Sequence, residues 1–178
     1  MIKTKSEYKP THSQLVRRIA AWFKARHQSS IVMAEFVTSA QEIPDVLAMQ
    51  SGAHSVLVEC KVSRSDFLSD KDKFFRRQED YGMGDKRYYA VPAGLIKSDE
   101  LPDGWGLLEV DRYHVREVVE PKHKEANKRR ECLMLMSALR RLEIGTAVFV
   151  IQEEKQDARS EKAESGETAS NTQMDETA

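Results

Sequence analysis

Apolar and polar positions alternate along the chain in short blocks whose period changes from helical to strand-like. Leu15, Ile19, Trp22 and Phe23 recur at helical spacing behind Thr11, a fitting N-cap, and predict a first helix reaching about His27. Residues 31–37 predict a first strand that carries Glu35, and residues 38–43 a polar turn. The next run, Pro44-Asp45-Val46-Leu47-Ala48-Met49, is a short strand with an acid at its start. Residues 50–54 then make a hairpin connection to SVLVECKVS, residues 55–63, whose valine-rich run reads as a buried strand. Glu59 and Lys61 interrupt that run. A strand's period of two puts both on one face and sends Val56, Val58, Cys60 and Val62 into the core on the other.

Further along, a second helix is predicted from Ser63 or Ser65 to about Tyr81. Phe67, Lys71, Phe74, Gln78 and Tyr81 share its stripe, and Gly82 and Gly84 end it. KRYYAV, residues 86–91, is the next strand, stopped by Pro92. Residues 105–110 and 113–119 form a hairpin around Asp111 and Arg112. Residues 125–142 predict a third helix with Cys132, Leu135, Met136, Leu139 and Leu142 as its apolar stripe. Residues 146–151 make a last apolar run, a strand or a docking segment, and no internal repeat is visible.

Composition adjusts this picture at the ends. From Gln152 onward there are no aromatics and almost no aliphatics, so the segment cannot bury enough apolar area to offset its ordering entropy. The expected organisation is a flexible arm over residues 1–10, one folded domain over 11–151 and a disordered acidic tail over 152–178. The formal charge of −1 conceals this asymmetry: residues 151–178 carry a net −5, which leaves +4 for the rest. A mildly basic body is compatible with nucleic acid and equally with an ordinary solvated surface. Lys128, Arg129 and Arg130 cluster at the start of the third helix, the unfavourable end for positive charge. They are candidate nucleic-acid contacts, with solvated side chains as the plainer alternative.

Two cysteines without paired spacing argue against a disulfide framework or a zinc site and fit a reducing cytosol. With no apolar stretch of membrane length, the expectation is a cytoplasmic protein that does not engage a membrane. The five histidines are scattered, and neither a glycine-rich phosphate loop nor a nucleophile elbow is present. Kinase, NTPase and serine hydrolase chemistry therefore have no support.

The candidate chemistry lies in Asp45, Glu59 and Lys61. A buried charge survives only if paired, solvated in a cleft or bound to metal, because leaving it unpaired costs several kcal/mol. The alternative is a structural ion cluster at a sheet edge. An acid followed about a dozen residues later by Glu-x-Lys on the adjoining strand resembles the PD-(D/E)XK nuclease superfamily. The wider context, an EFV segment, PDVLAM, VECKVSRSDFLSDK and RYYAVP, resembles its MmcB-like DNA-repair branch over roughly residues 11–120.

That resemblance implies an α/β, restriction-endonuclease-like fold, a mixed central β-sheet flanked by helices. It implies a metal-dependent nuclease hydrolysing DNA phosphodiester bonds in repair, recombination or phage and mobile-element biology. Asp45, Glu59 and the backbone carbonyl of Cys60 would hold Mg2+ or Mn2+. Lys61 would orient or deprotonate the attacking water, or stabilise the developing charge. Its two carboxylate neighbours should raise its pKa, which favours charge stabilisation. Members of the superfamily often recruit a further acid from the first helix. This one has none between Leu15 and His27, which makes Glu35 the candidate in its place. Gln78 and Tyr81 approximate the Gln-x-x-x-Tyr signature of RecB-like nucleases with a spacing one residue short, and Lys71 is a candidate second phosphate contact. DNA is the expected partner. Cleavage of RNA, a non-catalytic DNA- or partner-binding role for the same fold, and a homodimeric assembly all stay open.

Overall fold

The structure is a computed structural model that describes residues 8–26, 29–38, 42–70 and 82–142. The chain divides into two compact units, residues 1–134 and 135–178. The first unit holds the whole sheet. The boundary falls inside the third helix, and the predicted acidic tail lies outside the described residues.

Helix α1, His12–Ala25, is set by Thr11. The Thr11 hydroxyl accepts from the Gln14 N–H, and the Gln14 side chain accepts from the Thr11 N–H, a reciprocal capping box that satisfies two otherwise orphaned donors. Strands β1 (Ser29–Ala34), β2 (Val46–Gln50), β3 (Ser55–Cys60), β4 (Lys86–Pro92), β5 (Gly106–Val110) and β6 (Val115–Val119) form one sheet in sequence order. Neighbours pair antiparallel except β3–β4 and β4–β5, which are parallel. This is a mixed sheet. The parallel crossover from β3 to β4 contains helix α2, Arg64–Asp70, and helix α3 is Lys128–Arg141.

The period of two sorts each central strand between two cores. Val56, Val58 and Cys60 of β3, with Tyr88 and Ala90 of β4, pack beneath Leu15, Val16, Ile19 and Phe23 of α1. Glu59 and Tyr89 take the opposite face. There the Phe67 ring of α2 meets Tyr89 edge-on at 5.0 Å, and Tyr89 stacks on Trp105 at 4.5 Å. The sheet is thus covered on both sides, and every residue of β3 is buried. Gly84 fits because its φ is +85° and a Cβ there would stand 2.5 Å from the Leu57 Cβ.

Several boundaries differ from the sequence reading. The first strand ends at Ala34, and Glu35 follows it with φ 46°, in the left-handed region. Its N–H donates to the Asp45 carbonyl at 3.0 Å. The expected loose arm is docked at its end: Tyr8 packs against the α1 core and Pro10 is buried. Helix α3 begins three residues late, where the Asn127 side chain accepts from the Arg130 N–H. Its buried positions are Glu131 and Met134, and Cys132, expected on the apolar stripe, is exposed. The predicted extension of α2 to Tyr81 and the last apolar run, residues 146–151, lie outside the described residues.

Candidate functional site

The register of β2 and β3 ends with Val46 opposite Val58, so Asp45 precedes β2 at the end of the pair where Glu59 follows Val58. Asp45 sits one residue before β2 and turns its carboxylate toward β3, where Oδ2 accepts from the Cys60 N–H at 2.7 Å. Within a strand, the N–H and C=O of one residue face the same neighbour. The Cys60 carbonyl therefore points to the β2 side of β3. Asp45 and Glu59 are near enough for the charge of one to act on the other.

Lys61 extends from the end of β3 into the interior and is 3% exposed. Its Nζ lies 3.0 Å from Glu59 Oε2 and 3.1 Å from Asp70 Oδ1. Asp70, at the end of α2, is itself buried and accepts from the Tyr89 hydroxyl at 2.7 Å. Burial acts to lower the Lys61 pKa, but Glu59 and Asp70 outweigh it and hold the ammonium above its ordinary value. Asp45 shifts the other way for an acid: burial first, and then the charge of Glu59, raise its carboxyl. The Cys60 amide, Lys61 and His12 oppose that rise without cancelling it. Burial, Asp45 and Glu59 likewise push the Cys60 thiol well up, so it stays protonated.

His12, the first residue of α1, reaches the open side of the cluster. Its Nε2 is 3.3 Å from Asp45 Oδ2 and its Nδ1 3.4 Å from Glu35 Oε1. Glu35 is thereby brought to the edge of the site, with half its side chain exposed, although it lies outside the strand. Neither His12 nor Asp70 was picked out from sequence. Asp70 carried a usable signal: it follows Phe67 by three residues, so the stripe that buries Phe67 buries it too. His12 carried none, because its acidic partners come from distant segments.

Lys128, Arg129 and Arg130 are not brought to this site. They start α3 near Ser55, at the opposite end of β3, about 16 Å away at a strand's rise per residue. Lys128 is committed to an ion cluster there, with Asp85 Oδ2 at 2.5 Å and Glu131 Oε2 at 3.0 Å. The same cluster ties down the Ser55 hydroxyl, 2.6 Å from Glu131 Oε1, and the Gly84 N–H, 2.9 Å from it. That arrangement explains the bases at the helix start: Lys128 neutralises two acids that clamp α3 to the sheet. Arg129 is exposed, and Lys71 and Gln78 lie outside the described residues.

Among the described residues, no group of three or more His, Cys, Asp or Glu side chains is arranged to hold a metal. A dedicated all-side-chain cage of the zinc type is therefore not formed by them. The carboxylates of Asp45 and Glu59 are oxygen donors, the type that suits a hard cation such as Mg2+. That ion is usually held by one or two carboxylates, with water and substrate phosphate completing its shell.

A family model described as DNA repair protein MmcB-like matches residues 3–146. The chain belongs to the MmcB-like family. A solved structure of a protein of unknown function from Silicibacter pomeroyi is similar at 28% identity and a TM-score of 0.58, over 75% of this chain and 90% of that one. Comparison with curated proteins gives no match. Among the described residues of this MmcB-like chain, no helix is long and apolar enough to cross a membrane.

Proposed function

We propose that this MmcB-like protein is a PD-(D/E)XK-type, metal-dependent phosphodiesterase that cuts DNA during repair. The observation that supports the reading is the Asp45 carboxylate held on the Cys60 N–H, within reach of the Glu59 charge, with Lys61 anchored next to Glu59. The family description supplies the link to DNA. Asp45, Glu59 and the Cys60 carbonyl would hold Mg2+ or Mn2+, which when bound polarises the scissile phosphate and lowers the pKa of water.

The chain's own groups divide the remaining work. Lys61, its pKa raised, stays an ammonium at neutral pH. It therefore acts by holding Glu59 in place and adding positive charge where negative charge develops, not as a base that takes a proton from water. Asp70, itself held by the Tyr89 hydroxyl, fixes the Lys61 amine from the far side. The Cys60 N–H and His12 hold the Asp45 carboxylate in its orientation.

A second reading, a DNA-binding module that does not cut, has its own support. Glu59 and Lys61 are each 3% exposed, and Lys61 is already ion-paired on both sides. The experiment that separates the two is cleavage of labelled single-stranded, duplex and branched DNA, and of RNA, with Mg2+ and with Mn2+. The nuclease reading predicts metal-dependent cutting that Asp45→Asn and Glu59→Gln each abolish while metal-free DNA affinity holds or rises. DNA binding with no cutting of any substrate would establish the second reading.

A further inference from the structure

The hairpin joining β5 to β6 has a feature that the catalytic cluster does not use. Tyr113 at its tip is 72% exposed, the largest exposure among the large hydrophobic side chains of the described residues. The tip that carries it is tightly built. The Asp111 N–H donates to the His114 carbonyl at 3.0 Å, and Asp111 Oδ1 accepts from the N–H groups of Tyr113 and His114 at 2.7 and 2.8 Å. Arg18 of α1 braces it from the side by donating to the Arg112 carbonyl at 3.4 Å. An exposed aromatic on a fixed turn loses little entropy when a flat partner stacks on it.

Guanidinium groups adjoin the tip. Arg112 and His114 flank Tyr113 in the turn and are exposed, and Arg18 reaches the Arg112 carbonyl. Other charges there are paired: Arg116 with Glu109 at 3.7 Å, and His114 with Asp111 at 3.5 Å. An exposed aromatic with the Arg112 and Arg18 guanidinium groups beside its turn suits a nucleic-acid strand, with phosphate on a guanidinium and a nucleobase on the tyrosine.

The position is also informative. Parallel pairing puts Cys60, Ala90 and Leu108 in one row, so β5 runs out toward the tip at the same end of the sheet as Glu59 and Lys61. Two strand spacings and a few residues of rise separate them, on the order of 15 Å, a distance a few nucleotides cover. Ligands of parallel strands gather beyond their carboxyl ends.

We propose that the β5–β6 tip is a nucleic-acid contact in which Tyr113 stacks on an unpaired base while Arg112 holds the adjoining phosphate. The protein would then favour DNA with single-stranded character over blunt duplex. The proposal rests on the reading of the chain as a DNA-acting protein but not on its cutting DNA.

The test is fluorescence anisotropy of the full chain with a labelled single-stranded DNA oligonucleotide in EDTA, alongside the same sequence as blunt duplex. Loss of one base–aromatic stack predicts that Tyr113→Ala weakens single-strand binding roughly five- to hundredfold. Tyr113→Phe should bind like the unmutated chain, duplex affinity should change little, and an unaltered melting temperature would exclude unfolding. If the unmutated chain binds single strands and Tyr113→Ala binds equally well, the stacking contact is refuted whether or not the protein cuts. Stronger binding to blunt duplex, or no nucleic-acid binding at all, would also overturn it, the latter leaving the tyrosine to a protein partner. Cleavage of the DNA and RNA substrates is scored separately, so a chain that cuts DNA yet ignores Tyr113 refutes this contact alone.

Discussion

Replacing Lys61 by methionine keeps most of the length of the side chain and removes its charge. In the native structure the ammonium sits between Glu59 Oε2 at 3.0 Å and Asp70 Oδ1 at 3.1 Å, with all three residues at most 3% exposed. Lys61→Met would leave two buried carboxylates facing an apolar tip. Breaking a buried pair by removing one partner costs about 3–5 kcal/mol, a large part of the roughly 5–15 kcal/mol that stabilises a domain. At this size the melting temperature should fall by roughly 10 °C or more.

The partners decide whether this cost is electrostatic. In Lys61→Met with Glu59→Gln and Asp70→Asn, no charge is left unpaired, and most of the loss should be recovered, as replacing whole buried ion groups commonly shows. Thermal and urea unfolding followed by circular dichroism would measure both variants. A loss below about 1 kcal/mol in Lys61→Met would refute the argument, because that is what an exposed pair is worth. Equal losses in the single and triple variants would refute it too, pointing to packing instead.

The same geometry sets further expectations. The Asp45 carboxyl is raised in the folded chain, so the unfolded chain gives up that proton first; its contribution is fully favourable below pH 3.8 and is lost as pH rises through the folded value. Asp45→Asn should therefore raise the melting temperature at pH 7 and lose that advantage near pH 3, while abolishing cleavage. Gly84→Ala should cost about 1–3 kcal/mol from overpacking alone, since the new Cβ meets Leu57 at 2.5 Å and φ is +85°. A smaller loss in urea unfolding would mean that the loop before β4 shifts freely. If arginine and lysine contacts hold DNA, affinity should fall steeply with rising salt, and a flat salt profile would favour a protein partner.

Much of the framework was legible because burial on the central strands is dictated by local pattern. Val56, Val58 and Cys60 against Glu59 and Lys61 predicted the two faces of β3, and the Thr11 cap predicted the start of α1. The β2–β3 hairpin that brings Asp45 toward the Glu59 end of β3 was also legible, since a short connection fixes the register of its strands. The features that sequence did not reveal depend on distant partners. Lys128 reads as a phosphate ligand until Asp85 and Glu131 are placed beside it. Glu131 in turn shifts the buried face of α3, because a charged side chain occupies a position that periodicity reserves for an apolar one. Asp70 and His12 belong to the same class: each takes its meaning from a residue on another element.

The claim on which the account depends is that Asp45, Glu59 and the Cys60 carbonyl form a divalent-cation centre. The most direct measurement is a calorimetric titration of the purified full chain with Mn2+, repeated on Asp45→Asn. The account predicts one ion per chain for the unmutated protein, weakened at least tenfold by Asp45→Asn through the lost carboxylate charge, a difference of about 1.4 kcal/mol or more. A chain that takes up no Mn2+, or that binds it equally well after Asp45→Asn, would contradict that claim.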